Sequence, residues 1–376
     1  MDLSKKTAKK RDGNIELLRL LSMCMVIILH AMDKGHNLVS LYEADNVTKW
    51  VAWLLESFSV CAVNVFMLIS GYFCVKSRFR IGKMIDLVCQ TIFYSFGAFL
   101  VCRLFHIGTA DTGIYDYLKY IFPVHMNLYW FVTVYIVIYM LSPLLNKAIN
   151  NMSKEQLGRV IVLLLVCVCI FKSVLPVRLE ADGRGNNFLW LLIVYIIGAY
   201  FRLYGFKHLT NVKRSLMCYL MGSLLIFAEV TAIYYVIGLT GHLKEITNIP
   251  RDYNHIFALA SAVGMFAIFI NKKPMGEKAS SLICKLSPMA LGIYLIHENM
   301  SFRYNWQQWL GVYEISEMGI CLFLIKLLCA ILAIVFAGLL VDFVRIKLFS
   351  LVSAFIDKTG LREKMNSFDN KINGIQ

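Results

Sequence analysis

The chain has 376 residues, of which 59% are hydrophobic and only 16% charged, with a mean hydropathy of +0.64, whereas ordinary soluble domains carry about 25% charged residues. That balance excludes a soluble globular protein, and six prolines with 23 glycines are too few for a low-complexity or disordered chain. The net charge of +14 would suit a nucleic-acid binder only if the basic residues gathered on one soluble face, and they are spread over short loops and tails instead.

Apolar windows near the roughly 20 residues that a helix needs to cross a bilayer core recur ten times, at about 14–32, 51–75, 84–105, 128–146, 159–175, 188–204, 215–239, 254–270, 287–300 and 318–345. An all-α polytopic integral membrane protein with about ten transmembrane helices is expected. The ninth window is short and is expected to extend toward Arg303. The start, MDLSKKTAKKR, resembles a signal peptide, but no small-residue cleavage pattern follows the apolar run, so a retained first span is expected. With that start in the cytoplasm, the inner segments hold 25 Lys and Arg and the outer ones 8, which puts both termini inside. The chain then divides into a basic cytoplasmic N-terminus over 1–13, a transmembrane domain over 14–345 and a cytoplasmic tail over 346–376. The tail mixes apolar and charged residues at helical spacing and suits either the inner membrane surface or solvent. Eight of the eleven cysteines sit in apolar runs, with no CxxC pair, and read as small apolar packing residues.

The first span, NIELLRLLSMCMVIILH, carries Glu16, Arg19 and His30. An ionisable side chain inside a span marks a pathway or a site unless it can snorkel to the interface. Arg19 and His30 are eleven residues apart, so both project from one helix stripe, separated by roughly 16 Å along the axis. Glu16 lies one turn from Arg19 and can pair with it. The stripe sets an anion holder toward the cytoplasm and a proton acceptor at the outer end; a snorkelling Arg and an interface-capping His are the alternative.

In the second span, SVCAVNVFMLISGYF, Asn64 and Ser70-Gly71-Tyr72 suit close helix contacts or a site. The loop that follows, VKSRFRIGK, offers Arg78, Arg80 and Lys83 either as phosphate anchors or as positive-inside charge. Tyr129-Trp130 opens the fourth span as an interface pair, and Glu229 lies deep in the seventh. The ninth ends LGIYLIHENM, bringing Tyr294, His297, Glu298 and Asn299 level with His30. His297 and Glu298 are adjacent and face different ways on a helix, so a Glu–His pairing is expected to come from another helix. A His poised near neutrality can accept a proton from a sugar hydroxyl. No phosphate loop, HExxH or GxSxG motif supports a rival chemistry, and no metal is expected.

These residues carry a resemblance. NIELLRLLSMCMVIILH resembles the opening of the membrane-bound acyltransferase-3 family, and NVFMLISGYF, LYWFVTVYIVIYMLSPLLN and LGIYLIHEN resemble three later family segments in the same order. The closest likeness is to bacterial exopolysaccharide and surface-glycan O-acyltransferases. The resemblance implies a ten-helix enzyme of the bacterial inner membrane that takes an acyl group, usually acetyl, from cytosolic acyl-CoA and places it on a hydroxyl of an extracytoplasmic glycan or lipid-linked precursor. It implies catalytic roles for His30 and Arg19, and donor binding by Arg19, Ser70, Gly71, Arg78, Arg80 and Lys83. Glu16, Tyr72, Trp130, Glu229, Tyr294, His297 and Glu298 are expected on the acceptor side or along the pore. The family often places a Pro a few residues beyond its basic motif, and RIGKMIDLVCQ has none; Glu16 stands where an Asp is common. A glycan exporter, with Arg19, His30 and Glu229 along a polar path, is the competing reading. No internal symmetry of the kind many transporters show is evident.

Overall fold

The computed structural model describes residues 11–107, 113–175 and 180–374. Lys5, Lys6, Lys9, Lys10 and Arg178, part of the charge balance above, lie outside the described residues.

The described residues contain helices and no strands. In chain order the helices are α1 (Gly13–Asp33), α2 (Val47–Ser59), α3 (Ala62–Cys74), α4 (Ile81–Leu104), α5 (Ile114–Ile121), α6 (Trp130–Asn151), α7 (Lys154–Leu165), α8 (Phe171–Val174), α9 (Phe188–Tyr204), α10 (Val212–Thr240), α11 (Ile256–Asn271), α12 (Glu277–Leu286), α13 (Ala290–His297), α14 (Trp306–Trp309), α15 (Ile320–Lys358) and α16 (Leu361–Ile372). Nine helical runs among the described residues are long and apolar enough to cross a membrane, and the 17-residue α9 is a shorter apolar helix. Each of the ten expected windows falls on one of them, and the chain is an all-α polytopic membrane protein.

Local chemistry sets several boundaries. The Asp12, Asn46, Asn187 and Asn211 side chains cap α1, α2, α9 and α10, and Ser153 with Gln156 forms a capping box on α7. The expected second span is broken at Val60–Cys61 into α2 and α3. The Tyr219 hydroxyl donates to the Phe58 carbonyl at 3.1 Å there, meeting the rule that backbone freed inside a membrane finds a partner in protein. The ninth span corrects the expectation above: α13 stops at His297, and the helix extends the other way, through a turn at Ser287–Met289 into α12. Pro288 is tolerated because it sits at the start of that turn. Beyond Glu298 the chain continues in hydrogen-bonded turns, the Phe302 and Arg303 amides donating to the Asn299 carbonyl at 2.9 and 2.8 Å. The tenth span runs past 345 to Lys358.

Helix contacts rely on small residues, as expected where lipid supplies no hydrophobic drive between helices. On α3 and α9 the fit is reciprocal: a Cβ on Gly71 would lie 2.0 Å from the Tyr195 carbonyl oxygen, and one on Gly198 would lie 2.3 Å from that of Leu68. Gly222 and Gly264 do the same between α10 and α11, where the Ser223 and Ser261 hydroxyls bond at 2.8 Å. All eleven cysteines are free. Helix α1 touches α2, α3, α11, α12, α13 and α15 and contributes residues to all three apolar clusters of the core. Its polar stripe therefore faces protein rather than lipid.

Candidate active site

A cavity of about 530 Å³ follows α1 from one end to the other. Glu16, Arg19, Lys83, Ser77 and Ser287 line one end, Met23, Val26, Phe66 and Ser70 the middle, and His30, Trp130, Tyr253 and Tyr294 the other end. The shared stripe of Arg19 and His30 is thus one wall of a continuous space.

At the Arg19 end, the Ser287 hydroxyl donates to Glu16 Oε2 at 2.5 Å, and Arg19 Nε lies 3.5 Å from the same oxygen. Arg19 Nε is buried and makes no hydrogen bond among the described residues. A guanidinium loosely paired and short of acceptors is suited to an anionic or carbonyl ligand. Lys83 reaches the cavity wall from the first turn of α4, while Arg78 and Arg80 are exposed in the segment before it.

At the opposite end the expected pairing from another helix is present. His297 Nδ1 lies 2.6 Å from the Ile293 carbonyl oxygen; a carbonyl only accepts, so that nitrogen carries a proton. Neutral His297 then presents an Nε2 lone pair, 3.1 Å from His30 Nδ1. His30 Nδ1 is also 3.1 Å from Glu298 Oε1. Both contacts assign the proton of His30 to Nδ1 and leave its Nε2 with a lone pair. Adjacent His297 and Glu298 both reach the same ring because α13 ends between them.

Two cations that the sequence did not single out as site residues complete this end. Lys34, one turn beyond His30, pairs with Glu298 Oε1, and Arg303 donates to the Glu298 carbonyl at 2.8 Å and to the Leu128 carbonyl at 2.7 Å. Burial alone pushes the Glu298 carboxyl up, but the charges around it, the cations Lys34 and Arg303 among them, outweigh burial and hold it below the ordinary carboxylate range. Asn299 fixes the turn by donating to the Tyr94 carbonyl at 3.0 Å and the Tyr129 hydroxyl at 2.9 Å. The helical spacing of Lys34 from His30 was a usable signal; Arg303, contacting through a turn, left none. His30, His297 and Glu298 offer ligand atoms within 4.8 Å of one another, a set able to hold a metal ion, although Lys34 already supplies positive charge at the carboxylate.

The walls here are aromatic. Trp130 stacks on Tyr253 with ring centres 6.1 Å apart, and the Tyr294 hydroxyl is buried without a hydrogen-bond partner among the described residues. Asn64, noted in the sequence as a polar residue in a span, accepts from Trp190 Nε1 and donates to the Tyr253 carbonyl, each at 2.8 Å, so it positions that wall.

The remaining candidates divide between the cavity wall and the packing around it. Ser70 lines the cavity while donating to the Phe66 carbonyl at 2.8 Å, whereas Gly71 is packed on α9 and is absent from the wall. Tyr72 accepts a hydrogen bond from Arg202 at 3.2 Å and packs on Phe266. Glu229 lies 3.4 Å from His255 and is likewise absent from the wall.

The family model described as an acyltransferase domain, of the acyltransferase-3 type, matches residues 12–341. No curated protein and no solved structure matches the chain.

Proposed function

The chain belongs to the acyltransferase-3 family and is a membrane acyltransferase, and from that premise we propose that it moves an acyl group, acetyl in the first instance, from cytosolic acyl-CoA to a hydroxyl of an extracytoplasmic glycan or lipid-linked glycan precursor at a bacterial inner membrane. The observation that carries this reading is the continuous cavity that runs from Arg19 to His30. A CoA thioester sits at the end of a long, thin pantetheine arm, and a channel with cations at one end and a base at the other suits such a donor.

In this reading Arg19, Lys83 and the neighbouring Arg80 hold the CoA phosphates from the cytoplasmic side, through charge-assisted hydrogen bonds. Arg19 binds rather than reacts, because roughly 16 Å of helix separate it from His30. His30 Nε2 takes the proton of the acceptor hydroxyl as the oxygen attacks the thioester carbonyl. The tetrahedral adduct collapses with cleavage of the carbon–sulfur bond, and the imidazolium returns its proton to the departing thiolate. Glu298 balances the positive charge on His30 between those steps, and His297 keeps the His30 ring in the required tautomer. The Trp130–Tyr253 stack offers the flat apolar surface that a sugar ring packs against, and the free Tyr294 hydroxyl offers the acceptor a hydrogen bond.

The test is release of CoA thiol from acetyl-CoA by the purified chain in lipid nanodiscs supplied with a glycan-containing membrane extract. Release that depends on both the extract and His30 supports the reading. A chain that releases no thiol under any condition, yet moves unmodified glycan across vesicles, would be a transporter.

A further inference from the structure

Helix α16 lies outside the family match, which stops at 341, and it returns to the donor end of the cavity. Helix α15 continues to Lys358, the chain reverses at Gly360 with φ of 69°, and α16 folds back against the start of α4. There it engages the segment that carries Arg80. Asn373 accepts from the Phe79 amide and donates to the Phe79 carbonyl, each at 3.0 Å. Asp369 Oδ1 accepts from the Ile81 amide at 2.7 Å. The Arg80 amide and carbonyl are held by one hydroxyl, that of Tyr139, at 3.1 and 3.3 Å, and Tyr139 itself lines the cavity.

This arrangement answers a local defect. Arg80 is the N-cap of α4 and makes no side-chain cap bond; an arginine has no acceptor to offer the free amides of a helix start. Asp369 supplies from a distant helix the carboxylate that a local Asp or Ser would supply, at the positive end of the α4 dipole. The amides of Phe79, Arg80 and Ile81 and the carbonyls of Phe79 and Arg80 are thereby all bonded to side chains. The Arg80 and Lys83 side chains are exposed and enter no ion pair among the described residues. Backbone is fixed while cationic heads stay available, which is what pre-organised anion binding needs.

Resting on the donor reading above, we propose that α16 is a positioning element of the donor site: Asp369 and Asn373 fix the backbone from which Arg80 and Lys83 grip the phosphates of acyl-CoA.

The test compares acetyl-CoA with acetyl-pantetheine, which carries the thioester but lacks the nucleotide and its phosphates. Asp369→Ala combined with Asn373→Ala should raise KM for acetyl-CoA about tenfold, the loss expected for two to three modest hydrogen bonds, with kcat unchanged. The same variant should use acetyl-pantetheine as the unaltered chain does, which also shows that it is folded. Asp369→Asn, whose side-chain carbonyl still accepts from Ile81, should recover most of the affinity. Equal impairment on both donors would mean that α16 only stabilises the fold and would overturn the proposal. A lower KM for acetyl-CoA would do the same, by showing that Asp369 competes with the donor. An unaltered chain that treats the two donors alike would refute phosphate anchoring itself, and with it the reading on which the proposal rests.

Discussion

His30 Nδ1 and His297 Nε2 face each other at 3.1 Å, with the far nitrogen of His297 tied to the Ile293 carbonyl at 2.6 Å. The bond pattern runs one way and leaves the basic lone pair of His30 on Nε2. His30→Ala should therefore abolish transfer, by about 10²–10⁴-fold for loss of a general base, with membrane insertion intact. His297→Phe keeps the volume but removes one of the two acceptors that select the His30 tautomer, Glu298 Oε1 being the other; kcat should fall by about tenfold, the worth of one hydrogen bond, while KM for acyl-CoA holds. A KM effect alone would contradict the positioning role of His297.

Arg19 separates grip from charge. Its Nε has no hydrogen bond among the described residues and lies 3.5 Å from Glu16. Arg19→Ala should raise KM for acyl-CoA by about 10–100-fold, the loss of charged hydrogen bonds. Arg19→Lys should recover little, since an ammonium lacks the planar pair of donors. Full recovery with Lys would reduce Arg19 to a charge partner of Glu16.

Glu298 sets the acid limit. Its carboxyl is held below the ordinary value of about 4.3, with Lys34 and Arg303 beside it. A depressed folded value means that the stabilisation is present above the ordinary value and is lost as pH falls through the folded one. Between pH 5 and 8 the Glu298 network should contribute a constant amount. Lys34→Met removes the nearest cation, raises the carboxyl and should move the acid unfolding midpoint toward neutrality. Thermal unfolding followed against pH in both chains would show it; coincident profiles would mean that Lys34 does not hold Glu298 ionised.

Tyr294 carries a buried hydroxyl without a partner among the described residues. Removing an unsatisfied polar group is neutral or stabilising, by up to about 1 kcal/mol. Tyr294→Phe should thus keep or raise the unfolding temperature while lowering kcat/KM for the acceptor. A variant less stable than the parent would show that the hydroxyl serves the fold.

Much of the scaffold is readable in the residues, because crossing a bilayer imposes a length and hydropathy that survive without tertiary information. Arg19 and His30 stand out for the same reason: ionisable groups in apolar helices are conspicuous, and their spacing places them on one stripe. The rest depends on how helices end. That His297 and Glu298 both reach His30 follows from α13 stopping between them, and Arg303 bonds across an irregular turn; neither has a periodic signal. Small residues are ambiguous in another way. Ser70 and Gly71 are neighbours, yet one lines the cavity and the other packs on α9, since adjacent positions on a helix face about 100° apart. The contact between α16 and Phe79–Ile81 joins segments nearly 290 residues apart, and neither segment alone announces it.

The most direct measurement follows labelled acetyl in sealed, inside-out membrane vesicles of the parent chain and of His30→Ala, with acetyl-CoA added outside and acetylated glycan read in the lumen. The expected result is CoA thiol outside and label in luminal glycan for the parent chain, and neither for the variant, at equal amounts of inserted protein. Luminal unmodified glycan accumulating with no release of CoA from either chain would contradict transmembrane acyl transfer.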